Sequence, residues 1–414
     1  MPQTVNPLRI VIILPRGVAA PHIMRGLAAG FEALGHSVLI ADTRPVSSTD
    51  MNAFLERTRE RILDFKPHFA AFYNSSGLLP KPPGMPEMHK GRHFFEALEI
   101  PCAALFFDSP LLPVFLQDIS ILHASPLYHV FVWDRHYARV LRERFGQGHY
   151  LPLGTDPAVF RPREPDPAHA ADIAFIGSVA DSGDFAAQRG AGGWPPLLIS
   201  LAQQTFETWL ELGGGDMDAP LQSVLQRHPP ALADAMRQFM NNAEQHNMFL
   251  QSVLSQIARH QRLEAVRALP ECSITVYGGP GWADLGLAHA RAHAPVDYEN
   301  ETPVVYSSAK IILNVSSAQL ATALNQRAFD APACGGFLLT DWREDAAALF
   351  TPGEEIAVYR DLEDLRRLAA CYLEHEDERR AMAQRARARV LRDHTWERRA
   401  GSIIQTLNGI SALS

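Results

Sequence analysis

The sequence predicts an α/β protein of two Rossmann-like domains joined by a proline-bounded linker, with a helical insertion in the second. Three observations carry this. Apolar runs of strand length alternate with helix-period segments through the first 145 residues, as in a parallel sheet covered on both faces. The same pattern restarts at DIAFIGS (residues 172–178), just after the extended stretch YLPLGTDPAVFRP (residues 150–162). The chain has 414 residues, enough for two domains that each bury a core.

In order, residues 8–14 are the first buried strand. The loop PRGVAAPH leads to a helix with Ile23, Leu27, Phe31 and Leu34 on one face, closed by Gly35, and residues 38–41 form the next strand. This is how a Rossmann-like unit begins. The loop lacks the GxGxxG spacing, so NAD is not the expected ligand. Residues 51–65 read as helix and 68–73 as a strand ending in NSSG. Residues 93–98 read as helix, and 102–107 as a strand ending in Asp108-Ser109-Pro110. Residues 128–132 form a further strand, followed by Asp134 and the helix 136–145. In open α/β sheets ligands bind beyond the carboxyl ends of the strands. His22, Asn74, Asp108 and Asp134 are predicted there, each also readable as a helix cap or turn residue.

The linker carries turn signals at Gly154-Thr155 and Asp156-Pro157 and divides the chain into domains 1–155 and 156–390. Residues 391–414 are expected to be a C-terminal helix packing back on the first domain. In the second domain the strand 172–178 ends in the small residues Gly177 and Ser178. About 190–262 is helical in period and too long for one crossover, hence an insertion. Its DMD (residues 216–218) matches a metal-diphosphate pattern but precedes a helix and reads as a cap. Strand 273–277 ends at Tyr277, followed by Gly278 and Gly279, where backbone N–H groups can approach an anion. Strand 310–315 has Asn314 near its end. NQRAFDAPACGGFLLTD (residues 325–341) follows. Arg327 and Asp330 share a helix face, Gly335 and Gly336 stop the helix, and a buried strand runs to Asp341. A cation and an acid so placed suit a ligand with phosphate and sugar hydroxyls. The Arg/Glu run 376–392 reads as a solvated helix face.

Composition narrows the class. A formal charge of −8 argues against a general nucleic-acid partner. Cys102, Cys272, Cys334 and Cys371 lack CxxC spacing and lie in apolar runs, reading as buried reduced thiols of a cytoplasmic protein. No secretory leader is evident, and no run approaches the length of a membrane span.

The ordered set FFDSP, YLPLGTDPAVFRP, DIAFIGS, VYGGPGW, SSAKIILNV, RAFDAPACGGFLLTD, LFTPGEEIAVYRDLEDL and HTWERR resembles the spore-maturation CgeB-like glycosyltransferases of the GT-B type. The resemblance spans most of the chain outside the insertion. It implies two Rossmann-like domains facing across a cleft, and transfer of a sugar from a nucleoside-diphosphate donor to a protein or glycan acceptor. The second domain would hold the donor, without a bound metal or other cofactor. A helix N-terminus and Arg side chains would stabilise the leaving diphosphate, with Arg262 and Arg327 the candidates and Gly177, Tyr277, Gly278 and Asn314 lining the donor site. Asp330 falls where related enzymes place the Glu that holds ribose. The other acid of the Glu-x₇-Glu pattern is replaced by Thr322, so the retaining mechanism attached to that pattern is not implied. Asp108 or His22 would serve by position as the base of an inverting reaction. A homodimer is compatible with this reading. The alternatives are a nucleotide-sugar epimerase on the same fold, or a non-catalytic sugar-binding or scaffold protein working through the insertion.

Overall fold

The computed structural model describes residues 7–15, 17, 19–42, 51–80, 93–179, 196–212 and 218–409. Residues 16 and 18 of the first loop, Lys81, Lys90, residues 213–217 with most of the DMD match, and the side chain of Asp218 lie outside the described residues. The chain forms two compact units. Unit 1 comprises Met1–Leu111, Phe115–Ala158 and Val390–Ser414, and unit 2 comprises Leu112–Val114 and Val159–Arg389.

Unit 1 holds β1 (Arg9–Leu14), α1 (Ala20–Ala33), β2 (Ser37–Asp42), α2 (Met51–Phe65), β3 (Phe69–Tyr73), α3 (Phe94–Ala97) and β4 (Cys102–Phe106). After α4 (Pro113–Ala124) come β5 (Tyr128–Val132), α5 (Arg135–Phe145) and the short β6 (His149–Tyr150). All six strands pair in parallel, in the order β2-β1-β3-β4-β5-β6. Ile10, Val11, Ile12 and Ile13 are fully buried, as expected of a strand covered on both faces. The order reverses direction between β1 and β3, which makes the carboxyl ends of those strands the topological switch point.

Unit 2 repeats the plan. Its strands are β7 (Ala171–Ile176), β8 (Ile274–Tyr277), β9 (Ala290–His293), β10 (Ala309–Asn314), β11 (Leu338–Asp341) and β12 (Ala357–Tyr359). They are parallel throughout, in the order β12-β11-β10-β7-β8-β9, with the switch point between β7 and β10. Among the described residues between β7 and β8 lie four helices, α6 (Pro196–Glu211), α7 (Asp218–Gln226), α8 (Pro230–Met240) and α9 (Ala243–Arg267). They share a hydrophobic core of their own, with Leu201, Trp209, Val224, Met236, Phe249 and Val253 buried together. This is why their apolar period has no strand to face. The long α9 continues down to the sheet, placing Leu263 and Val266 in the main core.

The remaining helices are α10 (Thr302–Ser308), α11 (Arg327–Ala333), α12 (Glu344–Leu349), α13 (Leu362–Glu374), α14 (Glu376–Asp393) and α15 (Trp396–Gly409). Two expectations need correction. Cys371 is only partly buried; it lies one turn from His375 near the end of α13, with Sγ 3.7 Å from His375 Nδ1. The Arg/Glu run of α14 is not simply solvated. Arg387 Nε donates to Ala333 O at 3.2 Å and Arg389 Nε to Leu349 O at 2.9 Å. These are the last carbonyls of α11 and α12, so the two arginines satisfy helix ends that have no intrahelical donor.

Candidate functional site

The predicted donor residues of unit 2 gather at the carboxyl end of β7, beside the switch point. Gly177 N–H donates to Tyr277 O at 2.9 Å, extending the β7–β8 ladder past the strand ends. Gly278 lies against it, and a Cβ there would sit 2.1 Å from Gly177 O. Only glycine allows that approach. Trp282 Nε1 closes the turn with a 2.7 Å bond to Gly177 O, and its ring meets Phe175 edge-on at 5.8 Å. The Arg327 guanidinium lies 5.2 Å from the Phe175 ring centre, a cation–π arrangement. It also donates to Ile176 O and Asn314 Oδ1. Arg262, on the last turns of α9, donates to Ser178 O. Burial, and then the neighbouring Arg327 charge, push the Arg262 guanidinium down to about 10.

Two guanidiniums thus converge on one strand end, and no carboxylate pairs with either among the described residues. Like charges held together out of water are unfavourable until an anion joins them. Beside them is a cavity of about 210 Å³ whose wall includes Ser178, Arg259, Arg262, Ser317 and Gln319, and no acidic residue among those described. Arg327 Nε, and nearby in sequence Ser316 Oγ and Asn325 Oδ1, are buried with no hydrogen-bond partner in the protein.

Not every predicted donor residue faces that space. Asn314 is fully buried and spends its amide on Thr340 Oγ1, at 2.9 Å, and on Arg327. Its contribution is to aim Arg327. The Tyr277 hydroxyl bonds His169 Nδ1 at 2.9 Å, and its ring packs 5.2 Å from that of His293. What Tyr277 offers Gly177 is its carbonyl.

Asp330 lies one turn into α11 and is 1% exposed. Its carboxylate accepts from Tyr298 OH at 2.7 Å and from Gln326 Nε2 at 2.9 Å. Burial, and then the Asp330 charge, hold the Tyr298 hydroxyl well above the phenol range, so it remains a donor. Gln326 is half-buried. The helix ends as the double glycine predicts. Gly335 takes φ 80°, with Gly335 N–H to Pro332 O at 2.9 Å and Gly336 N–H to Ala331 O at 3.0 Å, the paired bonds of a Schellman stop.

The loop between β10 and α11, residues 315–326, is tied down from beyond β11. Asp341 Oδ1 accepts Ser316 N–H at 2.9 Å. Arg343 bonds Asp341 at 3.0 Å and Leu320 O at 3.0 Å, and Asp345 N–H meets Thr322 O at 3.0 Å. Thr322, where a second acid was considered, is 9% exposed. Sequence reasoning missed Tyr298, Gln326, Arg343 and Arg259. The one available signal was the three-residue spacing of Arg259 and Arg262 on a single helix.

In unit 1, Asp108 follows β4 and stays partly exposed. Its Oδ2 accepts from Asn74 Nδ2 at 2.8 Å and from Tyr73 OH at 3.3 Å. His22 stands in the first turn of α1, beyond β1, half-buried. Asp134 is fully buried and caps α5, accepting His136 N–H at 2.9 Å, so of its two readings the structural one holds. No group of three or more His, Cys, Asp or Glu side chains that could hold a metal occurs among the described residues. No described helix is long and apolar enough to cross a membrane.

Comparison with known proteins bears on the same region. Residues 259–405 match the family model described as "Glycosyl transferase-like". No curated protein matches the chain. Among solved structures, the fold is similar to sucrose-phosphate synthase from Thermosynechococcus elongatus, at TM-score 0.57 and 13% identity over 98% of this chain and 100% of that one. Anabaena HepE in complex with UDP and glucose gives TM-score 0.55 and 10% identity over 97% and 100%. A glycosyltransferase from Rickettsia africae gives 0.53 and 10% over 98% and 99%. The two parallel six-stranded units therefore have the GT-B fold.

Proposed function

We propose that the protein is a glycosyltransferase that moves a sugar, most simply a hexose, from a nucleoside-diphosphate donor to a protein or glycan acceptor in the cytoplasm. The observation that carries this is the pair Arg262 and Arg327, two guanidiniums converging on the switch-point end of β7 without a carboxylate partner among the described residues. The family match over residues 259–405 includes both, and the ordered motifs favour the CgeB-like subgroup within that class. A related fold binds UDP and glucose, which makes UDP the first nucleotide to try.

In this reading the diphosphate lies against Arg262 and Arg327, and the glycines Gly177 and Gly278 leave room for it beside the backbone. Asp330 takes the ribose hydroxyls in place of Gln326. The acceptor hydroxyl oxygen bonds to the anomeric carbon while the bond from that carbon to the β-phosphate oxygen breaks. The electron pair leaves with the nucleoside diphosphate, whose growing negative charge the two guanidiniums stabilise. The acceptor proton passes to Asp108, a partly exposed carboxylate of unit 1, acting as general base, with His22 the alternative base. A melting-temperature screen against UDP, GDP and dTDP tests the reading. One of the three should raise the midpoint, and no response to any would remove the proposal.

A further inference from the structure

Among the described residues only Lys66, Asn74 and Glu99 are non-glycine residues with positive φ. Lys66 and Glu99 are exposed, whereas Asn74 is 7% exposed. Asn adopts the left-handed conformation more readily than most residues, usually with its side chain bonded to its own nearby backbone. Asn74, at φ 49°, does something else. Its Oδ1 accepts Phe107 N–H at 3.0 Å and its Nδ2 donates to Asp108 Oδ2 at 2.8 Å. The carboxamide thus spans two consecutive groups at the end of the neighbouring strand, 33 and 34 residues away. Tyr73, the preceding residue, bonds the same carboxylate oxygen through its hydroxyl at 3.3 Å. Burial holds that hydroxyl far above the phenol range, so it stays a donor. Behind them the Phe107 ring is fixed against Tyr73 at 5.5 Å and against Trp133 and Trp396 at 6.2 Å each.

We infer that Asn74 is a positioning residue that holds the Asp108 carboxylate in the orientation in which it receives the acceptor proton. The inference rests on the reading of Asp108 as the base. The left-handed turn after β3 carries the carboxamide across to β4. Its donor fixes one carboxylate oxygen and its acceptor fixes the backbone of the residue before. A base confined in this way loses less freedom on reaching the transition state than one that rotates.

Glycine tests this cleanly, because it occupies φ 49° without strain while deleting the carboxamide. The assay is release of nucleoside diphosphate from UDP-glucose, GDP-mannose and dTDP-glucose, with water or an added acceptor taking the sugar. Asn74→Gly, Asp108→Asn and the double variant are compared with wild type. Asn74→Gly is expected to remain folded with a melting temperature a few degrees lower, since the buried Phe107 N–H loses its acceptor, to keep the donor KM, and to lower kcat about 10- to 100-fold, part of the factor a general base supplies. In the Asp108→Asn background the same change should have no further effect, since the two act as one unit. Full kcat in Asn74→Gly, or an equal loss in both backgrounds, would overturn the inference. Undiminished turnover by Asp108→Asn would instead overturn the reading of Asp108 beneath it, and no turnover by wild type would overturn the transferase reading.

Discussion

At the scale of single residues, burial decides which variants are informative. Asp330 is a fully enclosed acid bonded to Tyr298 and Gln326, so truncation to Ala would leave buried donors unsatisfied. Asp330→Asn keeps the shape but sets an amide N–H₂ against those donors. We expect it to weaken nucleoside-diphosphate binding about tenfold or more, and to lower the melting temperature by several degrees, from about 1–3 kcal/mol for a mispaired buried group. Titration curves and melts check both. A second residue reports on acid stability. Burial, and then His149, push the His129 imidazole down to about 4, and its Nε2 is buried without a partner. An unfolded His titrates near 6.5. Between these values the unfolded chain binds more protons, so stability falls as pH drops from about 6.5 toward 4. His129→Gln should flatten that slope, and melts at pH 7 and 5 would show it. Positions at this scale were partly legible. Arg327 and Asp330 lie on α11 and Asp108 follows β4, where the sequence patterns put them. Tyr298 and Gln326 were hidden, because a buried partner for an acid leaves no periodic trace.

At the scale of elements, strands and helix stops were readable and packing partners were not. The strands buried on both faces announce themselves as apolar runs, and the double glycine marks the end of α11. HTWERR carried a family likeness but no visible mechanism. In the structure it latches α15 within unit 1. Thr155 N–H bonds His394 O and Trp396 N–H bonds Thr155 O, both at 2.9 Å, while the buried Arg399 donates to Leu153 O at 2.9 Å. Helix α15 then lies on α1, where Gly26 and Gly30 make room. A Cβ at Gly30 would sit 2.5 Å from the Trp396 carbonyl carbon, and one at Gly26 2.5 Å from the Trp396 ring. In an open helix Gly→Ala stabilises by about 0.5–1 kcal/mol. Here Gly30→Ala should instead destabilise by about 1–3 kcal/mol through overpacking against backbone. A raised melting temperature in that variant would show that the two helices separate freely.

At the scale of the whole molecule, the chain builds the same six-stranded parallel sheet twice, and each sheet has one switch point. Alternation of strand-length and helix-period segments was enough to predict two Rossmann-like sheets, but the sixth strand of each, the short β6 and the polar β9, makes no apolar run and was not read. The number of helices in the insertion and their separate core were not, since a helix-period stretch does not say what it packs against. The surroundings of the two switch points differ in charge. Unit 1 presents a carboxylate fixed by Asn74 and Tyr73, and unit 2 presents two guanidiniums without a counter-ion among the described residues. The proposed function places the donor on the second of these and proton transfer on the first. The most direct test is the melting temperature of the wild-type chain and of Arg262→Ala, each with and without saturating UDP, GDP or dTDP. At a hundredfold excess over Kd a ligand stabilises by about 2.7 kcal/mol, which corresponds to a rise of roughly 5–10 °C for a unit of this size. The account predicts that rise for wild type with one of the three nucleotides and loss of most of it in Arg262→Ala. No rise with any of them, or the same rise in both proteins, would contradict it.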